Sequence, residues 1–374
     1  MKIAQIVASL ESRHGGPSRS VLGLAKGLAE QSHSVELLST APGIPPQSET
    51  QGALTTRLFP REFPKAFASS APLRDHLRNT NYDIIHHHGL WLRPLHHARN
   101  AARRQSAPLI ISPRGMMSPW AWNHHRSRKA FASQFIHPGA FTAAAGWHAT
   151  SEAEAGEIRS LGYTQPVCIA PNGVITPSPA EETAAAARWN GLLPALAGRR
   201  VALFHSRLHA KKRVLELIDL WLSRPRGDWI LLIVGIPEQY TVNQLDAYVV
   251  RSGGGGRVLI QDGTHEPPPY AVASLFLLPS HSENFGLVVA EALVRGVPVL
   301  TTDGTPWKTL DDNGAGRCVS WENYSSTLDS LLATTDSTLK LAGERARQWA
   351  TAAFSWTATA RLLSAFYQQL RSAR

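Results

Sequence analysis

Residues 279–298 read Pro279-Ser280-His281-Ser282-Glu283-Asn284-Phe285-Gly286-Leu287-Val288-Val289-Ala290-Glu291-Ala292-Leu293-Val294-Arg295-Gly296-Val297-Pro298. Just before them, Leu275, Phe276, Leu277 and Leu278 form a bulky apolar run long enough for one buried strand. Ser280 to Asn284 are too polar to stay in a core, so they form a loop. From Leu287 the apolar period is helical, and Gly296-Val297-Pro298 stops it. The order is therefore strand, polar loop, helix. In open α/β sheets such loops lie at the carboxyl ends of the strands, where ligands bind, and here the amides of Phe285, Gly286 and Leu287 face an anion. Glu283 and Glu291 have seven residues between them, one in the loop and one on the helix. Both can meet one ligand from different sides. The plainer alternative is an acidic helix start, which the helix dipole favours.

At 374 residues the chain exceeds one ordinary core, which predicts two domains. No run of 18 apolar residues and no secretory leader is present, so the expectation is a cytoplasmic protein. Cys168 and Cys318 are far apart, which supports neither a disulfide framework nor a zinc site. The formal charge is +10, and its placement is more informative than its size. Residues 1–176 hold 18 Lys and Arg against 10 Asp and Glu, and no acid stands between Asp83 and Glu152. That interval contains Arg93, Arg99, Arg103, Arg104, Arg114, Arg126, Arg128 and Lys129. A basic surface of this kind suits an anionic bilayer or a phosphate-bearing substrate, or is simply a solvated face. No helix-turn-helix, zinc or aromatic-basic signature points to nucleic acid.

The amino-terminal residues 2–8 predict a first strand, followed by a loop containing Gly15 and Gly16 and a helix over about 18–31. Adjacent glycines let a ligand approach the backbone at a helix start, although the fuller dinucleotide fingerprint is missing and a tight turn would serve equally. Residues 35–39 read as the second strand. Six prolines between 41 and 80 predict a loop-rich segment with one helix near 72–78. Residues 82–88 form a short strand running into His86, His87 and His88. Consecutive histidines on an extended chain point to alternate sides, so they cannot share one metal, and His86 and His88 are expected to line a cleft at the strand end. After a strand over 109–111 comes Ser112-Pro113-Arg114-Gly115-Met116-Met117-Ser118-Pro119-Trp120, a turn in which Arg114 can aim a fixed fork at a phosphate or carboxylate and Trp120 can wall a sugar or lipid. Further strands are expected over 146–150 and 167–170. The proline-punctuated residues 171–179 read as an interdomain linker. Beyond it the alternation restarts with a strand over 201–205, and a loop over 206–213 carries Arg207 and Lys212 at its two ends, able to fold both cations onto one anion.

Taken together, these features resemble the retaining glycosyltransferases of group 1, or family 4. The resemblance rests on Gly15-Gly16, on Ala170-Pro171-Asn172-Gly173-Val174, on Phe204 through Lys212, and on Pro279 through Glu291, and it covers nearly the whole chain. It implies an α/β GT-B fold of two Rossmann-like domains facing each other across a cleft. The acceptor domain would be 1–172, the linker 173–179, the nucleotide-sugar domain 180–353, and a closing helix over 354–374 would pack back on the first domain. Arg207 and Lys212 would then bind a donor diphosphate, Glu291 the ribose and Glu283 the donor sugar. Asn284, Phe285, Gly286 and Leu287 would assist with their amides, and Gly15 and Gly16 would close over the diphosphate. Where many members carry a histidine, this chain reads Pro113-Arg114-Gly115-Met116, similar to a subset of polysaccharide-assembly enzymes. Arg114 would replace that histidine or hold the acceptor's phosphate, with His86, His88 and Trp120 as further acceptor contacts.

The implied activity is a hexosyltransferase that moves a sugar from a nucleoside-diphosphate sugar to a saccharide or polyprenyl-diphosphate-linked acceptor in surface polysaccharide assembly. The implied setting is peripheral, on the inner face of the membrane. With no aspartate-rich turn, neither a metal nor another cofactor is expected. A nucleotide-sugar epimerase of the same architecture and a non-enzymatic anionic-surface binder are the alternatives.

Overall fold

The structure, a computed structural model, describes residues 1–11, 16–124 and 126–373, and it leaves the side chains of residues 16–18, 120 and 126 undescribed. The chain divides into two units, Met1–Gly173 with Phe354–Arg374, and Val174–Ala353.

In the first unit the strands are β1 (Lys2–Val7), β2 (Ser34–Ala41), β3 (Gln47–Gln51), β4 (Leu54–Pro60), β5 (Ile84–His88), β6 (Leu109–Ser112), β7 (Gly146–Ala149) and β8 (Val167–Ile169). They form one sheet in the order β3-β4-β2-β1-β5-β6-β7-β8, parallel except for the β3–β4 hairpin. Side-chain alternation covers both faces. Ala4 and Ile6 join Ile85, Leu109 and Ile111 in a core with helices Ala71–Asn79, Arg93–Gln105 and Glu152–Ser160. Ile3 and Val7 join Ile84 and Ile110 in another, with helices Gly16–Glu30 and Trp356–Ser372. Gln5 shares the face of Ile3 and Val7 and is fully buried.

In the second unit β9 (Arg200–Leu208), β10 (Trp229–Pro237), β11 (Val258–Asp262), β12 (Leu275–Leu278), β13 (Val299–Thr302) and β14 (Gly316–Val319) lie in the order β11-β10-β9-β12-β13-β14, all parallel. Helix Pro179–Leu192 opens this unit behind a capping box in which Ser178 and Glu181 satisfy each other's backbone amides.

Several expectations are corrected. Residues 47–60 are not loop but the β3–β4 hairpin, turning at Gly52 with φ +59. The proline count hid residues 47–59, which hold no proline, and β3 is exposed throughout, so it carries no apolar signal. The histidines do end their strand as expected, with His88 pairing with Val7 on one side and Ser112 on the other. Residues 206–208 are strand rather than loop, since β9 follows β10 as far as Leu208 opposite Pro237. Among the described residues no helix is long and apolar enough to cross a membrane.

Candidate active site

A parallel sheet opens a crevice where its strand order reverses. In the second unit that point lies between β9 and β12, which pair only through Ala202 with Leu275 and Leu203 with Phe276 and then part. The loops leaving both strands meet there, with the His281 amide donating to the Lys211 carbonyl at 2.9 Å. A short turn over Ala210–Lys212, held by the Lys211 amide donating to His209 Nδ1 at 2.9 Å, and a left-handed Arg213 at φ 54 direct Lys212 across the gap. Its ammonium forms an ion pair with Glu283 Oε1, both side chains nearly enclosed. Ser280 Oγ donates to the same carboxylate oxygen at 2.7 Å, and the Glu283 amide donates to the Gly304 carbonyl at 3.0 Å. Burial raises the carboxyl pKa of Glu283, but the Lys212 charge and the hydrogen bonds from Lys212 and Ser280 outweigh it and leave the value lowered. The group is therefore a fixed carboxylate at neutral pH.

Phe285 is buried against Trp307, whose indole donates to the Phe285 carbonyl at 2.5 Å. Gly286, at φ +76, turns the chain into helix Leu287–Val294, and no side chain caps that N-terminus. Asn284, Gly286 and Leu287 are partly exposed around it, which leaves the positive end of the helix open to an anion. Further along, Glu291 accepts from the Tyr270 hydroxyl at 2.8 Å, and Tyr270 also meets His205 Nδ1 at 3.1 Å. The Arg295 guanidinium lies 5.0 Å from the Tyr270 ring centroid. Exposed Arg207 pairs with Glu238 at 2.7 Å, beyond the end of β10, while Lys212 pairs with Glu283.

In the first unit the reversal lies between β1 and β5. His86 and His88 do not line a cleft. They are 0 % and 2 % exposed because their strand is flanked on both sides. His86 bonds Tyr367 through Nδ1 at 2.6 Å and Ser112 through Nε2 at 2.7 Å. His88 bonds Gln5 through Nε2 at 2.6 Å and Arg114 through Nδ1 at 3.0 Å. Arg114, left-handed at φ 55, is also turned inward, and its Nη1 donates to Asn172 at 2.7 Å. Burial lowers its pKa to about 10, so it remains a cation. Ring nitrogens of His86, His88 and His148 come within 4.8 Å of one another. Each is committed to a protein partner, His148 to Ser112 and the Ala170 carbonyl. Gly16 begins helix Gly16–Glu30. Gly15 and the side chain of Trp120 lie outside the described residues.

Sequence reading missed Tyr270, Ser280, Asn172, Gln5 and Tyr367. Gln5 did carry a signal, a lone amide in the apolar run Ile3-Ala4-Gln5-Ile6-Val7. Tyr367 and Tyr270 carried none, since aromatic residues in such positions read as core.

Two parallel-sheet Rossmann-like units with crevices at their reversal points define the class as GT-B. Known proteins agree. Residues 14–177 match the Glycosyltransferase Family 4 model and residues 193–349 the model of glycosyl transferases group 1. Each model matches less than half of the chain, so the chain is similar to the group 1 glycosyltransferases in its second unit and to Glycosyltransferase Family 4 in its first. It is 29% identical over 164 residues to the lipopolysaccharide core biosynthesis mannosyltransferase LpsB of Rhizobium meliloti (strain 1021), a match covering 41% of this chain and 46% of that protein. The chain spans less than half the length of the curated relatives it matches. Among solved structures, sucrose-phosphate synthase from Thermosynechococcus elongatus superposes with a TM-score of 0.77 at 19% identity, covering 100% of both chains. HepE of Anabaena, in complex with UDP and glucose, gives 0.74 at 18%, covering 99% of this chain and 100% of that one. At such identities the likeness concerns the fold.

Proposed function

We propose that the chain transfers a sugar from a nucleoside-diphosphate sugar to a saccharide or lipid-linked acceptor, with retention of anomeric configuration, in surface polysaccharide assembly. The observation that carries this reading is the buried Lys212–Glu283 pair beside the uncapped helix at the reversal point of the second unit. Cleaving the bond to a nucleoside diphosphate builds negative charge on the leaving phosphate. Lys212 and the amides of Asn284, Phe285, Gly286 and Leu287 are fixed donors for that charge, and a single such donor is worth about 2.7–4 kcal/mol of barrier. Glu283, kept ionised, accepts from hydroxyls of the donor sugar, and Glu291, oriented by Tyr270, accepts from the ribose. Arg207 exchanges Glu238 for the diphosphate when the donor enters. Arg114 meets the acceptor's anionic group. His86 is withdrawn from the acceptor set, and His88 acts through Arg114. The retained configuration follows if the leaving phosphate takes the acceptor proton on the same face. None of these steps is assigned to a metal or cofactor.

A membrane-bound acceptor is supported by the surface of the first unit. Phe131 and Phe135 are 50% and 55% exposed, with ring centroids 4.9 Å apart, and exposed Arg128 lies in the same acid-free interval. Apolar rings beside cations suit the interface of an anionic bilayer. Incubation of the full chain with nucleotide sugars and a polyprenyl-diphosphate-linked saccharide should yield product with the donor's anomeric configuration by NMR. Arg207→Ala, Lys212→Ala and Glu291→Ala should each lose transfer. Unchanged turnover in all three would overturn the assignment, and epimerised donor in the absence of acceptor would replace it.

A further inference from the structure

Behind Arg114 the first unit contains one unbroken line of buried polar groups. It runs from Asn172 and Arg114 to His88, Gln5, Tyr367, His86, Ser112 and His148, and it ends on the Ala170 carbonyl. Its protons can be placed from either end. A guanidinium only donates, so His88 Nδ1 must accept and Nε2 must carry the proton given to Gln5 Oε1. Gln5 Nε2 then donates to the Tyr367 oxygen at 3.1 Å, which leaves the phenol proton for His86 Nδ1. From the other end a carbonyl only accepts, so His148 Nε2 donates to Ala170 and Nδ1 receives the Ser112 proton. Ser112 therefore accepts from His86 Nε2. The two derivations meet at His86 without conflict, its Nδ1 accepting and its Nε2 donating. Burial, with Arg114 and the neighbouring histidines adding to it, lowers the pKa of His86 and His88 well below the ordinary value and keeps both neutral.

We propose that Tyr367 is a positioning residue for Arg114: its hydroxyl holds the Gln5 amide with Oε1 towards His88 Nε2, the orientation that supports the His88 tautomer the guanidinium requires. The link to transfer rests on the reading of Arg114 as a contact for the acceptor's anionic group. Arg114 is 8% exposed and makes three hydrogen bonds, all to neutral atoms of His88 and Asn172. A guanidinium has five N–H donors, so two remain for a ligand once the described residues are satisfied. The nearby Glu154 carboxylate is taken up by the Gly115 amide at 2.6 Å and by the amide and hydroxyl of Thr150 at 2.7 and 2.9 Å. Without the phenol, the Gln5 amide is free to turn its NH2 towards His88. His88 would then move its proton to Nδ1, placing N–H against the N–H of Arg114 and displacing the fork.

The test uses the full chain with ring-15N-labelled histidine. Tyr367→Phe keeps the buried ring and removes only the hydroxyl. Wild type should show His88 protonated on Nε2 alone, and Tyr367→Phe should show a substantial Nδ1-protonated population. Ser112→Ala, which breaks the line beyond Tyr367, should leave the His88 spectrum as in wild type. In transfer assays Tyr367→Phe should raise the acceptor KM or lower kcat by up to about 10²-fold, the scale of a misplaced contact, with the donor KM unchanged. An unaltered His88 tautomer in Tyr367→Phe, or the same alteration in Ser112→Ala, overturns the relay. A shifted tautomer with unchanged transfer overturns its link to the acceptor. Unchanged transfer in Arg114→Lys overturns the assigned role of Arg114 instead, independently of the spectra.

Discussion

Replacing Lys212 by Met separates what the buried pair does for stability from what it does for transfer. The pair is almost fully enclosed, so removing Lys212 leaves a buried carboxylate that keeps the Ser280 hydrogen bond and the Lys211 charge but loses its ion-pair partner. Two unit charges about 4 Å apart at an effective dielectric of about 20 interact by about 4 kcal/mol. Measured losses on breaking buried pairs are about 3–5 kcal/mol, in agreement. The pH dependence reverses sign between the two proteins. In wild type the Glu283 pKa lies below its ordinary 4.5, so its stabilisation is complete above that value and lost as pH falls through the lowered one. In Lys212→Met both contributions of Lys212 are lost, so burial, the largest influence on the carboxyl, is expected to shift the folded value upward. The variant therefore suffers most at neutral pH and is relieved on acidification as Glu283 binds a proton. Denaturant unfolding of both proteins at pH 7 and pH 4 should show the gap narrow. Lys212→Met with Glu283→Gln should recover most of the stability at pH 7, since no charge is left buried, yet neither variant should transfer sugar. A loss below about 1 kcal/mol at pH 7, or a gap that widens at pH 4, would refute the argument.

Tyr270→Phe removes a donor to the Glu291 carboxylate, a bond to a charged group worth about 1.5–3 kcal/mol, and should raise the donor KM about tenfold in initial-rate assays. Gly286→Ala forces a Cβ at φ +76, 3.4 Å from Glu283 Cγ, and should cost about 1–2 kcal/mol in unfolding experiments while weakening donor binding by calorimetry. Gly173→Ala would place a Cβ 2.5 Å from the Trp356 backbone nitrogen and should destabilise the first unit by about 1–3 kcal/mol, read as earlier exchange of amides in helix Trp356–Ser372. Phe131→Ser with Phe135→Ser should reduce sedimentation with phosphatidylglycerol vesicles and leave transfer to a soluble acceptor unchanged.

The strand, loop and helix around Glu283 were legible because each has a strong local signal: four apolar residues, a polar break and a 3.6-residue period ended by Gly296 and Pro298. The histidines show where such reading fails. His86 and His88 looked like cleft residues because a polar side chain after an apolar run ordinarily marks a strand end. Their burial depends on Tyr367, more than 270 residues later, whose hydroxyl satisfies His86. The β3–β4 hairpin was illegible for the opposite reason, since its outer strand is exposed and held by backbone pairing, which leaves no mark on residue type.

The sequence by itself determined the alternation of strand and helix, the two-domain plan and the residue types available for phosphate and sugar, all written in short-range periodicity and in turn residues. The tertiary structure decided which of those residues meet. The reversal of strand order between β9 and β12 brings Lys212 to Glu283 and sends Arg207 to Glu238. The reversal between β1 and β5 places Gln5 beside His88, and helix Trp356–Ser372 brings Tyr367 to both Gln5 and His86. Strand order and helix docking follow from how apolar faces from distant parts of the chain are buried together, and that long-range pairing has no local trace in the residues it unites.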